Sequence, residues 1–245
     1  MDNAIYVGVS RQIILEREMD ITANNLANVD TVGFKFESMI SNEDPATMPT
    51  LGQPPTTVNF VAGVGVARDF TEGSLTQTGS PLDVAIEGRG FFQINTAAGP
   101  RYTRDGRFRV DATGTIVDQD GDPVDGGGGA VVLDPKKGPV SIGAKGDVSQ
   151  SGQNVGKITM VNFDSLSALS KDGNNQYRND SNLTPTASTA SMRQGFLEQS
   201  NVDPVRQITR LIEVNRAYDA MSNMLSATDD LSSSAVQRLG AVNPS

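Results

Sequence analysis

The 245-residue sequence predicts an α+β protein, with terminal helices pairing as a coiled-coil-like layer and a β-rich, barrel-like or sandwich-like central domain. Three observations predict it. The first 32 residues hold no proline and one glycine, Gly8. The middle concentrates the glycines and prolines between short β-like runs. The stretch from Val205 to Leu239 has neither residue and repeats its apolar positions at helical spacing. Four segments follow: an N-terminal helical assembly segment at 1–35, a linker or extended region at 36–75, a β-rich domain at 76–196, and a C-terminal helical assembly segment at 197–245.

In the first segment, apolar residues recur at Ile5, Val9 and Ile13, then at Leu15, Met19 and Leu26. Val7, Ile14 and Ile21 add a second row, so the apolar face of this helix is broad. Asn24, Asn25 and Asn28 crowd its end. Asparagine competes for backbone hydrogen bonds and favours caps and turns, so these residues are either a helix-end turn or an intersubunit hydrogen-bonding site, or both. Gly33 supplies a left-handed stop, and Phe34 follows as an apolar anchor.

Residues 41–57 are polar and proline-spotted, which reads as linker or loop. Strand-like runs come next at Leu82–Glu87, Gly90–Asn95, Phe108–Asp111, Gly114–Asp118, Ala130–Leu133 and Lys157–Phe163, several separated by Asp-Gly or Gly-Asp turns. Their regular spacing underlies the barrel or sandwich expectation.

Asp203-Pro204 opens the last helix: aspartate accepts from free amides, and proline fits the first turn, where its missing N–H is no loss. Leu211, Val214, Tyr218, Met221, Leu225, Thr228, Ser232, Ala235 and Leu239 then alternate steps of 3 and 4 residues. That is the coiled-coil period, on a helix about 50 Å long. With Thr228 and Ser232 in its seam, the helix needs a partner.

Composition narrows the chemistry. The chain has no cysteine and no histidine, so disulfides, thiolate metal sites and a Ser-His-Asp triad are out of reach. It has no tryptophan, and aromatics make up only 5%, which argues against base-stacking platforms. The net charge of −9 repels phosphate backbones, and the densest basic stretch (Arg101, Arg104, Arg107, Arg109) is interleaved with Asp105 and Asp111. No nucleic-acid partner is expected. No apolar run approaches the roughly 20 residues of a membrane span, so no direct membrane insertion is expected. The first ten residues lack a basic stretch followed by an apolar one, so no cleaved secretory signal is expected.

Asp118, Asp120 and Asp122 suggest a calcium loop, but an EF-hand needs glycine at its sixth position and glutamate at its twelfth. Pro123 and Gly129 stand there, and a polar hairpin turn is the expectation. Gly126–Gly129 lacks the Lys-Ser/Thr of a phosphate-binding loop. Asp83 and Glu87 fall on one face of a strand and read as a solvated surface rather than a glycosidase pair. No catalytic, cofactor or metal site is expected, and the protein is expected not to be an enzyme.

The segment from Ala23 to Lys35, ANNLANVDTVGFK, resembles the N-terminal signature of bacterial flagellar rod and hook proteins. Three further blocks resemble the same family, in family order: TQTGSPLDVAIEGRGFF ending at Phe92, YTRDGRFRVDATGTIVDQDGDPV from Tyr102, and GFLEQSNVDPVRQITRLIEVNRAYDA from Gly195. The resemblance covers essentially the whole chain. The starting residues Met1–Val7 and the Ser200–Pro204 block look most like the proximal-rod branch. The distal-rod branch is the nearest alternative, and a hook-like axial protein is disfavoured by length.

The resemblance implies a structural subunit of the basal-body rod that polymerises through its terminal helices into the axial drive shaft. It implies export by the flagellar type III apparatus without a cleaved signal peptide, and residence in the rod crossing the periplasm. The partners it implies are other rod subunits, further copies of this chain and the export apparatus. The assembly interface is expected at Asn24, Asn25, Leu26, Asn28, Gly33, Phe34, Leu211, Val214, Tyr218, Met221 and Leu225.

Overall fold

The computed structural model describes residues 2–48 and 56–240. In chain order its elements are α1 (Asp2–Ala27), β1 (Glu37–Met48), β2 (Thr56–Arg68), β3 (Leu75–Gln77), β4 (Val84–Glu87), β5 (Phe91–Thr96), β6 (Gly99–Thr103), β7 (Arg109–Val110), β8 (Ile116–Val117) and β9 (Val140–Ile142). Then follow β10 (Asp147–Gln150), β11 (Gln153–Lys157), β12 (Met160–Asn162), a 3₁₀ turn (Leu166–Ala168), β13 (Leu169–Lys171), β14 (Gln176–Asn179), β15 (Thr186–Ala187), β16 (Ser191–Gln194), β17 (Phe196–Glu198) and α2 (Pro204–Gly240). The protein is α+β, with two helices and a β-rich body.

The chain divides into two compact units. One comprises Met1–Ala27, Glu37–Arg68 and Asp203–Ser245. Within the expected linker or extended region, residues 41–48 and 56–57 are strand and not linker or loop: β1 and β2 pair antiparallel from Glu37↔Arg68 to Met48↔Thr56, with a register shift at Asn42/Glu43. Residues 49–55 of that stretch lie outside the described residues. Both strands of a two-stranded ribbon are edge strands, so Pro45 is tolerated there. That tolerance hides the ribbon from a reading that treats proline as punctuation.

α2 starts where expected. Asp203 Oδ1 accepts the amides of Val205 at 3.0 Å and Arg206 at 3.2 Å, a side-chain N-cap.

The other unit comprises Asn28–Phe36 and Asp69–Val202. Its largest sheet has six strands in the order β13-β14-β6-β5-β12-β15. β5 and β6 form the central hairpin, in register from Phe92↔Thr103 to Thr96↔Gly99. Alternation along β5 sends Phe92 and Ile94 to one cluster, with Val84, Ile86, Phe108, Ile116 and Ile158. Phe91 goes to a second cluster with Tyr102, Phe163 and Tyr177. The sheet is open, with β13 and β15 at its edges, and no barrel closes among the described strands. The expected run Ala130–Leu133 forms only isolated bridges, Thr115↔Val132 and Asp125↔Ala130.

Candidate functional site

In the first unit, α1 and α2 touch along their lengths. Asn25 Nδ2 reaches Gln207 Oε1 at 3.4 Å, Glu18 Oε1 accepts Arg210 Nε at 2.7 Å, and Asn215 Nδ2 lies 3.8 Å from Met19 Sδ. A Cβ placed on Gly8 would come within 2.6 Å of Leu225 Cδ2, so the missing side chain is what lets the helices approach there. As the α1 positions fall from Asn25 to Gly8, the α2 positions climb from Gln207 to Leu225, so the helices run antiparallel.

The covered side of α1 is Gly8, Gln12, Leu15, Met19 and Thr22, again in steps of 4 and 3. Val214 is buried, and Leu211, Tyr218, Met221, Leu225 and Thr228 are half-buried. The side chains of Ser232, Ala235 and Leu239 lie outside those described.

Both helices also carry apolar rows that this chain leaves uncovered. On α1 these are Tyr6 (66% exposed), Val9 and Ile13 (53%). Val9 and Ile13 belong to the broad apolar face that the sequence predicts for this helix, of which the single chain covers only part. That part is centred on Gly8 and Leu15, because α2 packs where α1 lacks a side chain. On α2, Val205 (71%), Ile208 and Ile212 form one exposed row. Ala217, Ala220, Met224, Ala227 and Leu231 (70%) form another at the coiled-coil spacing, one residue behind the covered seam. The sequence carried this second row, but periodicity alone does not say which of two parallel seams a fold covers.

The remaining signature residues are placed as follows. Asn25 is buried; its Nδ2 donates to the Glu37 carbonyl at 2.7 Å and its Oδ1 accepts the Glu37 amide at 2.9 Å. Asn24 is exposed, and Leu26 and Asn28 are half-buried. Asn28 closes the helix end, accepting the Thr31 amide on its carbonyl at 3.2 Å and the Thr31 hydroxyl on Oδ1 at 3.1 Å. Gly33 has φ +69°, and a Cβ there would lie 2.6 Å from the Arg104 carbonyl carbon, so both conformation and space demand glycine. Phe34 is buried, with Lys171 Nζ 4.4 Å from its ring centroid.

Next to Phe34, the second unit holds a buried charge cluster that sequence reading missed. Lys35 Nζ donates to Glu198 Oε1 at 2.5 Å and to the Thr71 carbonyl at 2.6 Å. Arg104 Nη1 donates to Glu198 Oε2 at 3.1 Å, and the Gly73 amide to Glu198 Oε1 at 3.0 Å. Burial pushes the Lys35 ammonium below its ordinary pKa, the Glu198 carboxylate opposes that shift, and Arg104 adds to it. Nearby, Asn201 accepts the Phe36 amide at 2.7 Å and donates to the carbonyls of Asp69 at 2.8 Å and Thr71 at 3.1 Å. Lys35, Arg104 and Glu198 belong to three of the four blocks that carry the family resemblance. No local pattern joins them, because contacts between residues 94 and 163 positions apart leave no periodic trace.

Asp118 serves a turn. Its Oδ1 accepts the amides of Asp120, Gly121 and Asp122, and its Oδ2 accepts from Gln176 Nε2 at 2.8 Å. Among the described residues, no group of three acidic side chains is arranged to hold a metal ion. Nor is any described helix long and apolar enough to cross a membrane.

Comparison with known proteins gives three family matches along the chain. Residues 5–35 match the flagella basal body rod protein family, residues 85–150 the flagellar hook protein FlgE/F/G D1 domain, and residues 193–238 the flagellar basal body rod FlgEFG protein C-terminal family. The flagellar basal-body rod protein FlgF of Caulobacter vibrioides is 51% identical over 99% of this chain and 100% of its own length. FlgF of Mesorhizobium japonicum is 38% identical over 98% of this chain and 99% of its own. The basal-body rod protein FlgG of Bacillus subtilis is 34% identical over 94% of this chain and 97% of its own.

Proposed function

The chain belongs to the bacterial flagellar basal-body rod protein family and is a structural subunit of the proximal rod, and from that premise we propose that it polymerises through the apolar rows its terminal helices leave uncovered. One observation carries this reading. Tyr6, Val9 and Ile13 on α1, and Val205, Ile208, Ile212, Met224 and Leu231 on α2, are large apolar side chains aligned at helical spacing and exposed in the single chain. Contiguous exposed apolar surface of this kind marks an interaction site.

On this reading the covered seam (Leu211, Val214, Tyr218, Met221, Leu225) holds α1 to α2 as a coiled-coil-like layer, and the exposed rows meet other rod subunits and further copies of this chain. Asn25 acts one step back, by tying the end of α1 to the start of β1, and Gly33 and Phe34 by shaping the turn of the second unit in which they lie. The role is mechanical, not catalytic, consistent with a chain free of histidine and cysteine. Delivery is through the flagellar type III export apparatus, without signal-peptide cleavage, into the rod crossing the periplasm.

The test is complementation of a non-motile strain lacking this gene. Val205→Asp and Leu231→Asp should each abolish motility while the purified chain keeps wild-type helix content and thermal stability. Normal motility in both variants would refute the assignment of these rows.

A further inference from the structure

The buried charges of the second unit do not balance. Lys35 and Glu198 have fully buried side chains, and that of Arg104 is 3% exposed. Two cations therefore share one carboxylate. Among the described residues, every other hydrogen-bonding partner of the two cations is a backbone carbonyl: Thr71 for Lys35, and Ile86 and Gly88 for Arg104. Among the described residues, the Arg104 Nε has no hydrogen-bond partner. Phe91 lies under the guanidinium, 5.5 Å away. Glu72 is the other charged group whose field reaches Lys35.

The single carboxylate arrives late in the chain. Glu198 ends β17, which pairs with β3 from Phe196↔Gln77 to Glu198↔Leu75. Its own carbonyl accepts the Gly33 amide at 2.7 Å, beside the residue that holds Lys35. The Phe34 carbonyl likewise accepts the Asn201 amide, and the Asp69 amide donates to the Phe36 carbonyl at 2.9 Å. Segments 28–36, 69–74 and 195–202 are thus knitted together around this carboxylate.

We propose that Glu198 is an electrostatic interlock: Lys35 and Arg104 can be seated together only when β17 brings its carboxylate between them, so the segment after α1 closes onto the β body only once the segment before α2 has docked. Removing one partner from a buried ion pair leaves an uncompensated charge, which costs far more than the pair itself contributes. A chain whose last block is undocked must keep Lys35 or Arg104 in water, and segment 28–36 stays open. Segments 28–36 and 195–202 are then secured together or not at all. This interlock is a property of the single chain and does not depend on how subunits assemble.

A double-mutant cycle on the full-length chain tests it, read by amide hydrogen exchange at Gly33, Phe36 and Asp69, with the β5–β6 hairpin as internal reference. Glu198→Gln is nearly isosteric but leaves two buried cations without an anion. It should cut protection at the three amides by roughly a hundredfold, with little change in the hairpin. Adding Lys35→Met removes the surplus cation and should restore most of that protection. Equal losses in the single and double variants would mean that the glutamate matters only for packing and would overturn the interlock, as would unchanged protection in Glu198→Gln. If Glu198→Gln yields no folded protein, the double variant still decides: folded, it supports the interlock; unfolded, it overturns it.

Discussion

Asn25→Ala probes the residue through which the N-terminal signature acts. Asn25 is 1% exposed and uses both ends of its amide on one backbone unit, donating to the Glu37 carbonyl at 2.7 Å and accepting the Glu37 amide at 2.9 Å. It thus stands in for a strand partner just where β1 begins. A third, longer bond from its Nδ2 reaches Gln207 at 3.4 Å, near the start of α2. Truncation removes two buried hydrogen bonds, each contributing about 0.5–1.5 kcal/mol, so the loss should be about 1–3 kcal/mol. Urea unfolding followed by far-UV circular dichroism reads it, because both helices lie in the same compact unit as Asn25. Asn25→Asp should fare no better: it keeps the acceptor for the amide but turns a carboxylate toward the Glu37 carbonyl. Asn223→Ala, on the exposed side of α2, should stay within about 0.5 kcal/mol of the parent. A loss below about 0.5 kcal/mol for Asn25→Ala would show that the Asn25–Glu37 hydrogen bonds contribute nothing to stability.

Two further predictions concern the second unit. Gly33→Ala forces a side chain into a left-handed conformation and against the Arg104 backbone, where nothing flexible can yield. Its cost should exceed the roughly 1 kcal/mol of left-handed strain alone, and a loss below that in thermal unfolding would show that the turn can relax. The second prediction is a pH dependence. Burial holds the folded-state pKa of Lys35 below the unfolded value of about 10.4. Between those two values the unfolded chain binds more protons, so the Lys35 contribution to stability rises with pH through that window and is lost as pH falls through the folded value. Buried Tyr102, whose pKa is raised by desolvation, pulls the opposite way at alkaline pH. The readout is therefore the difference between the parent and Lys35→Met, which should grow in the parent's favour across the window; a flat difference would count against a charged, buried Lys35.

Much of the helical architecture is legible in the sequence. The Asp203-Pro204 start of α2, the burial of Val214 on its apolar side and the left-handed Gly33 all follow from local rules, because capping, periodicity and positive φ each leave a mark within a few residues. The β1–β2 ribbon was hidden because a two-stranded ribbon accepts the proline that a central strand would reject. The Asn-rich turn was only partly legible. Composition marks Asn24, Asn25 and Asn28 alike, yet Asn25 alone is buried, and its partner Glu37 is set by where the chain returns. The Lys35–Glu198–Arg104 cluster was illegible, since long-range pairing of charges has no signature in a single sequence. The exposed apolar rows were visible as residues but not as a surface, because helical spacing does not say which of two adjacent rows the chain itself covers.

The most direct test of the central claim is a density map of the assembled basal-body rod at side-chain resolution. In it, Tyr6, Val9 and Ile13 of α1 and Val205, Ile208, Met224 and Leu231 of α2 should be covered by neighbouring subunits, with Leu225 still packed against Gly8 of its own chain. Those rows facing solvent in the assembled rod, with neighbours held by other surfaces, would contradict that claim.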